Sequence, residues 1–232
     1  MTMTTIQSPR TNSATVLSAI RAMKLVPVIV IESAADAVAL AAALSDGGLP
    51  CAEVTFRTPN AAESITRMAN KFPDMLLGAG TVLTPQQAAR ALDAGARFIV
   101  APGFNPAVVD YCQERATPVF PGVCTPTEIE MALTKDLSVL KFFPAEAAGG
   151  LAFLKAVAAP YTGVEFMPTG GINLDNLTSY LGFRRVVACG GSWMAPTEWI
   201  ASGQFDRIRA ETERAVTLVR ELGAGAGFVG GA

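Results

Sequence analysis

The sequence predicts an α/β protein, a single-domain (β/α)₈ barrel of the TIM type with one extra helix on its N-terminal side. Its 232 residues are about the length of one such barrel. Eight short apolar segments with strand character recur at intervals of roughly 20–26 residues. Stretches of helical character, mostly rich in alanine, separate these segments. A doubly wound sheet is the alternative, but it generally has fewer units and no such even count.

The predicted strands are bounded by turn residues and rich in apolar side chains. They cover residues 25–31, 51–56, 76–82, 97–101, 117–121, 138–143, 164–169 and 186–191. Helices are clearest at 34–44, 85–94 and 105–115. Thr84-Pro85 and Asn105-Pro106 are typical helix starts, whereas Gly47-Gly48 and Gly95 lie where helices should end.

An additional helix over residues 13–23 precedes the first strand and is expected to cover the floor of the barrel. A last helix over 205–222 closes the ring, so the barrel domain is expected to span 13–222. Residues 1–12 are expected to form a flexible N-terminus. The Gly/Ala-rich tail, 223–232, is predicted to be disordered.

Charge and composition exclude several classes of function. The net charge is −2 without a basic run, which argues against nucleic acid or an anionic membrane as partner. The longest apolar stretch is interrupted by Pro27 and ends at Glu32, so it is too short to cross a bilayer. Four cysteines without CxxC spacing are expected to be reduced core residues, which predicts a cytoplasmic protein.

The chain has no histidine. This absence excludes Ser–His and Cys–His nucleophile pairs, histidine general bases and histidine-ligated zinc. Acid–base chemistry must therefore come from Glu, Asp, Lys or Tyr. We expect no metal and no other cofactor.

Lys141 lies inside an apolar run, Val139-Leu140-Lys141-Phe142-Phe143-Pro144, that is typical of a buried strand. A lysine is almost never fully buried unless it is paired. Burial disfavours the ammonium form, and the resulting free amine is a nucleophile that makes Schiff bases with carbonyl substrates. The simpler interpretation is a lysine at a strand end, with its stem buried and its head in water.

The second predicted strand carries a carboxylate and a guanidinium on one face. Alternation places Glu53 and Arg57 together and puts the apolar Ala52, Val54 and Phe56 on the other face, toward the helices. The pair is then either a buried ion pair or a functional pair. In the functional interpretation, Glu53 shuttles protons and Arg57 binds a substrate carboxylate. Lys141 and Glu53 are expected to enter one lumen from different strands.

Active sites of such barrels lie at the C-terminal ends of the strands. Strand three ends in Gly78-Ala79-Gly80-Thr81, whose glycines allow close approach to a ligand or ease barrel packing. Pro102 follows strand four in a stiff turn. Strands seven and eight end in Gly170-Gly171 and Gly190-Gly191-Ser192, which fits a phosphate site made of backbone N–H groups.

Six segments together resemble one enzyme family. They are EVTFRTP, GAGTVL, PGVCTPTE, LKFFPAE, PTGGI and GGSW. In this order and spacing they resemble the bacterial 2-keto-3-deoxy-6-phosphogluconate (KDPG) and 4-hydroxy-2-oxoglutarate (KHG) aldolases. The resemblance implies a class I, metal-independent lyase on a (β/α)₈ barrel that is typically homotrimeric.

The resemblance also implies roles for individual residues. Lys141 would form the Schiff base and Glu53 would be the general acid–base, while Arg57 and Thr81 would hold the pyruvyl carboxylate. The implied phosphate ligands are Gly170, Gly171, Gly191 and Ser192, and the implied pocket walls are Pro102, Phe143 and Thr169. Phe56, Ala101 and Cys124 depart from the family's usual residues, and the last two could alter pocket shape.

Three other functions remain open at this point. A sugar-phosphate epimerase or isomerase would share the phosphate site but needs no lysine in strand six. A non-catalytic barrel that binds a sugar-acid phosphate needs no buried nucleophile. A 2-dehydro-3-deoxy-6-phosphogalactonate aldolase would differ only in stereochemistry at C4.

Overall fold

The computed structural model describes residues 13–226, with side chains to residue 223. Its strands are β1 Leu25–Ile29, β2 Cys51–Thr55, β3 Leu76–Gly80, β4 Phe98–Val100, β5 Val119–Phe120, β6 Gly122–Val123, β7 Val139–Phe142, β8 Glu165–Pro168 and β9 Cys189–Gly191. Its α-helices are α1 Ser13–Met23, α2 Ala37–Asp46, α3 Ala61–Lys71, α4 Pro85–Asp93, α5 Pro106–Gln113, α6 Pro126–Leu133, α7 Gly150–Ala158, α8 Leu174–Leu181, α9 Thr197–Ala201 and α10 Phe205–Ala226.

All strand pairs are parallel, and together they close a ring. One sheet has the order β5-β4-β3-β2-β1-β9, and the other has the order β6-β7-β8. β5 and β6 are one barrel strand interrupted at Pro121, whose ring nitrogen carries no hydrogen to donate. Bridges from Phe166 to Val186 and from Thr169 to Gly190 join the other edges. The predicted eight-stranded barrel is therefore confirmed, and the doubly wound alternative is wrong.

Helix α1 covers the floor of the barrel, as the sequence predicts. Val16 and Ile20 are fully buried on its inner face. Arg21 makes a bidentate ion pair with Glu165, the first residue of β8. The hydrogen bonds from Arg21 lower the pKa of the Glu165 carboxyl. Helix α1 therefore lies at the N-terminal ends of the strands, and the opposite, C-terminal ends form the mouth of the barrel.

The predicted helix boundaries follow from local hydrogen bonds. The Thr84 side chain accepts from the Gln87 N–H and the Asn105 side chain accepts from the Ala107 N–H, each ahead of a proline in the first turn. Gly47 follows α2 directly, and Gly95 comes two residues after the last residue of α4. These short-range signals are confirmed.

The domain limits differ slightly from those expected. Helix α10 continues to Ala226, whereas the sequence predicts its end at residue 222, because alanine sustains a helix and glycine alone does not stop one. The expected flexible segment 1–12, and residues 227–232 of the expected tail, lie outside the described residues. Among residues 13–226, none of the helices has the length and apolarity needed to cross a bilayer.

Strand β3 contributes glycines where its neighbours contribute large side chains. A methyl group at Gly78 would lie 2.2 Å from two ring atoms of Phe98, and one at Gly80 would lie 2.1 Å from Glu53 Oε1. These glycines therefore serve barrel packing, and their interior faces are covered by protein rather than left open for a ligand. The fully buried Phe98 ring fills the lumen edge-on against Phe120.

We predict that Gly78→Ala destabilises the fold by about 1–3 kcal/mol, because the added methyl overpacks the barrel against Phe98. The urea midpoint of unfolding measures the effect. Gly163→Ala is the matched control, since a methyl group there meets no atom within 4 Å. Equal midpoints for the two variants would contradict this account of the interior.

Candidate active site

The predicted nucleophile and the predicted acid–base residue meet inside the barrel. Lys141 lies on β7 and Glu53 on β2, and their side chains are only 7% and 4% exposed. Lys141 Nζ donates to Glu53 Oε1 at 3.4 Å. The simpler interpretation of Lys141, with its head in water, is therefore wrong. Glu53 pairs with this lysine and not with Arg57, so the expected common lumen is confirmed.

The lumen around this pair is packed with side chains. Its lining residues are Val26, Glu53, Phe98, Val100, Lys141, Met167, Thr169 and Gly190. The remaining cavity is about 10 Å³, close to the size of one water molecule. A substrate therefore cannot descend beside Lys141 and must approach its amine from the mouth of the barrel.

Strand β3 fixes the position of the Glu53 side chain. Glu53 is paired in register with Gly78, and its carboxylate covers Gly80. Any side chain at Gly80 would occupy the space that the carboxylate now fills. Thr55, two residues further along β2, donates its hydroxyl to the Ile29 carbonyl at 2.8 Å and so ties β2 to β1. Glu53 is thus held by strands on both sides.

Arg57 is not in the barrel interior, which corrects the alternation argument. β2 ends at Thr55 and the chain turns, so Arg57 lies beyond the strand and is exposed. Thr81 follows β3 directly and has a left-handed backbone with φ of 56°. Thr55 and Gly80 are paired at the ends of β2 and β3. Arg57 and Thr81 follow these neighbouring strand ends and therefore both lie at the mouth.

The two Gly-Gly segments also lie side by side at the mouth. The Thr169–Gly190 bridge joins the strand ends that precede them. Gly170 and Gly171 have φ of 99° and 82°, a conformation that favours glycine. Gly191 ends β9, and the Trp193 ring packs so closely on it that a methyl group would lie 1.7 Å from a ring carbon.

The remaining predicted residues line the mouth. Ser192 is exposed directly after β9. The Phe143 ring centroid is 5.2 Å from Lys141 Nζ, and the ring also contacts Gly170. Thr169 is buried beside Gly190, and the Pro102 carbonyl packs against Gly122 of β6. All of them lie at the ends of strands, on the side of the barrel that α1 leaves open.

Sequence reasoning missed two features of this site. Phe98 and Met167 line the packed lumen together with Lys141, and their apolar runs gave no sign of that position. The Tyr180 hydroxyl donates to Glu146 Oε1 at 2.5 Å, which ties α8 to the loop after β7. Burial and this hydrogen bond raise the pKa of Tyr180. The two residues are 34 positions apart, so no local pattern could pair them.

The chemistry available at the mouth is that of an amine and a carboxylate. Together they can add to a ketone and move protons. Within residues 13–226, no three Cys, Asp or Glu side chains cluster as a metal site would require. Burial raises the pKa of the Cys112 thiol to about 12 and also raises the pKa of the Cys51 and Cys189 thiols, so these three are not thiolate nucleophiles.

Known proteins place this chain in a family. The sequence model of the KDPG and KHG aldolase family matches residues 16–211, which is most of the chain. The chain belongs to the KDPG and KHG aldolase family. Its membership confirms the resemblance carried by the six motifs, and with it the expected class of enzyme, an aldehyde-lyase.

Two curated relatives illustrate the closeness of the match. A 2-dehydro-3-deoxy-phosphogluconate aldolase of Treponema pallidum is 50% identical over 205 residues, covering 88% of this chain and 98% of that protein. A KHG/KDPG aldolase of Escherichia coli is 41% identical over 192 residues, covering 83% of this chain and 90% of that protein.

Solved structures agree with this placement. A KDPG aldolase from Legionella pneumophila, with pyruvate captured as a covalent carbinolamine, has a TM-score of 0.83 at 40% identity. The match covers 88% of this chain and 98% of that one. A native KDPGal structure has a TM-score of 0.78 at only 27% identity, covering 86% of this chain and 96% of that one.

We predict that Gly80→Ala lowers kcat about tenfold or more, because the new methyl displaces the Glu53 carboxylate from Lys141. Steady-state kinetics and the urea midpoint, measured together, separate this loss from a loss of folding. Gly103→Ala is the matched control, since a methyl group there meets no atom within 4 Å. A Gly80→Ala enzyme with unchanged kcat would remove Glu53 from the reaction.

Proposed function

We propose that this aldolase cleaves 2-dehydro-3-deoxy-6-phosphogluconate reversibly to pyruvate and glyceraldehyde 3-phosphate through a Schiff base on Lys141. The observation that carries the proposal is the hydrogen bond from Lys141 Nζ to Glu53 Oε1 at 3.4 Å inside the barrel. The reaction is the aldol cleavage of the Entner–Doudoroff pathway. It requires neither a metal nor another cofactor.

The reaction begins with addition of the Lys141 amine to the C2 ketone of the substrate. Glu53 takes the proton that the Lys141 ammonium loses before attack and gives it to the departing hydroxyl of the carbinolamine. Water leaves, and the protonated imine that remains acts as an electron sink. As the C3–C4 bond breaks, its electron pair moves toward the iminium nitrogen, and a neutral enamine of pyruvate remains on the lysine. The aldehyde carbon of glyceraldehyde 3-phosphate derives from C4.

Glu53 moves the protons in this sequence. Its carboxylate accepts the proton of the C4 hydroxyl during cleavage and later returns a proton to C3 of the enamine. Hydrolysis of the new imine then frees pyruvate and the Lys141 amine. Because the lumen around the pair has room for only about one water molecule, the enamine is shielded from solvent within the barrel.

The two ends of the substrate are anions, and we assign them to opposite rims of the mouth. Arg57 and Thr81, after β2 and β3, bind the pyruvyl carboxylate and orient the ketone toward Lys141. The phosphate binds between the ends of β8 and β9. Its ligands are Gly170, Gly171, Gly191 and Ser192. Pro102, Phe143 and Thr169 line the walls between the two ends.

Relatives favour the phosphogluconate substrate over the phosphogalactonate. The KDPG aldolases of T. pallidum and L. pneumophila are 50% and 40% identical, compared with 27% for the KDPGal structure. We propose 4-hydroxy-2-oxoglutarate, cleaved to pyruvate and glyoxylate, as a second substrate. The KHG/KDPG aldolase of E. coli supports it at 41% identity.

We predict that pyruvate and borohydride together trap a pyruvate-derived adduct on Lys141, located by peptide mass analysis. Lys141→Arg is the variant to compare, because it keeps a cation opposite Glu53, whereas Lys141→Ala leaves a buried carboxylate unpaired at a cost of about 3–5 kcal/mol. The arginine variant should give neither adduct nor turnover. An adduct on another lysine would move the Schiff base away from Lys141, and the absence of any adduct in the wild type would exclude the proposed mechanism.

We propose further that the protein is a cytoplasmic homotrimer, as the family resemblance implies. Large apolar side chains exposed on the described surface support association. They are Leu83, Met131, Leu133 and Phe153, each at least 37% exposed. We expect analytical ultracentrifugation to give about three times the 24.2 kDa mass of the chain. A monomer at micromolar concentration would refute the assembly and leave the site assignments standing.

A further inference from the structure

The loop after β7 is attached to the turn after β8 by hydrogen bonds. The Ala145 N–H donates to the Thr169 carbonyl at 2.8 Å, and the Glu146 N–H donates to the Gly170 carbonyl at 3.0 Å. The Glu146 carboxylate then accepts the hydroxyl of Tyr180 at 2.5 Å. Tyr180 is only 1% exposed on α8, so it gives this attachment a fixed anchor.

These bonds orient the peptide groups of the Gly170-Gly171 turn. A trans peptide is planar, so its N–H points opposite to its carbonyl. The Gly170 carbonyl accepts from the Glu146 backbone N–H, and the Gly171 carbonyl accepts from Asn176 Nδ2, each at 3.0 Å. The N–H groups of Gly171 and Ile172 are therefore directed away from Glu146 and Asn176. With two successive left-handed glycines, the turn presents backbone donors on one side, as anion-binding turns do.

Glu146 itself is an unexpected neighbour for an anion site. Its Cβ and Cγ pack so closely on Gly171 that a methyl group there would lie 2.6 Å from both. A carboxylate at this position would repel a phosphate if it turned toward the donors. Its hydrogen bond to Tyr180 holds it on the other side. Because burial and this bond raise the pKa of Tyr180, the phenol keeps its proton and remains a donor at neutral and moderately alkaline pH.

We propose that Glu146 and Tyr180 are positioning residues for the phosphate end of the substrate. Tyr180 holds the Glu146 carboxylate away from the anion, and the Glu146 backbone aims the donors of the Gly170-Gly171 turn. This inference rests on the proposed function and deepens it. Neither residue touches Lys141, which lies within β7 itself, so covalent chemistry with pyruvate does not depend on the pair.

The test is Tyr180→Phe, which keeps the buried ring and removes only the hydroxyl. We expect KM for 2-dehydro-3-deoxy-6-phosphogluconate to rise about tenfold, the usual scale for losing a hydrogen bond to a charged group. kcat for that substrate, and both constants for the phosphate-free 4-hydroxy-2-oxoglutarate, should stay unchanged. A purely structural role would alter both substrates alike, and that result would overturn the proposal.

Three further variants separate the possible causes. Tyr161→Phe removes a Tyr–Glu hydrogen bond of the same kind, from Tyr161 to Glu130 at 2.9 Å, and should change nothing. Glu146→Gln, which keeps an acceptor for Tyr180 and removes the charge, is the single variant against which the double variant is measured. Adding Glu146→Gln to Tyr180→Phe should restore part of the lost affinity, because the released side chain is then neutral. No recovery would refute the role of charge repulsion.

Binding of 3-phosphoglycerate, measured by calorimetry, tests the same pair without turnover. Tyr180→Phe should weaken it about tenfold, and Ser192→Ala, which removes a proposed phosphate ligand, should weaken it similarly. Equal affinity in wild type and Tyr180→Phe would overturn this inference even in an active enzyme. Failure of pyruvate trapping in the wild type would instead refute the proposed function, while the calorimetry would still decide the role of Glu146 and Tyr180.

Discussion

The buried contact between Lys141 and Glu53 is the constraint on which the rest of the site depends. Removing two charged groups from water is costly, and the loss of either partner leaves the other uncompensated, at about 3–5 kcal/mol. Ring closure makes the contact possible because it brings β2 and β7 to face each other across one lumen. The glycines of β3 leave the space that two side chains occupy, Glu53 over Gly80 and the Phe98 ring over Gly78. The residues of the strands, their packing in the lumen and the chemistry of the site therefore depend on one another.

Much of the fold could be predicted because parallel strands buried on both faces appear as apolar runs in the sequence. Alternation within those runs also placed Lys141 and Glu53 on interior faces. It failed at Arg57, because the alternation was extended two residues beyond Thr55, the last residue of β2. The break that divides one barrel strand into β5 and β6 was also not predicted. It arises because Pro121 has no N–H to donate, and the apolar run continues through it.

Contacts between distant elements were beyond the reach of sequence periodicity. The common lumen of Phe98 and Lys141, and the hydrogen bond between Tyr180 and Glu146, depend on how strands and helices from different repeats meet. Similarity to known aldolases identifies the family and the reaction class, but it does not assign these contacts. The mouth therefore combines two kinds of residue. One kind is recognisable from motifs such as LKFFPAE and PTGGI, and the other becomes visible only when the barrel closes.

The tightly packed lumen around Lys141 determines where this scaffold can be modified. A biocatalyst that accepts bulkier ketone donors cannot be obtained by excavating Phe98 or Met167, since truncating such core side chains costs about 2–5 kcal/mol. In the substrate placement that we propose, new acceptor aldehydes would instead meet the loops that follow β4, β8 and β9. Directed evolution of this barrel should therefore yield altered acceptor scope far more readily than altered donor scope.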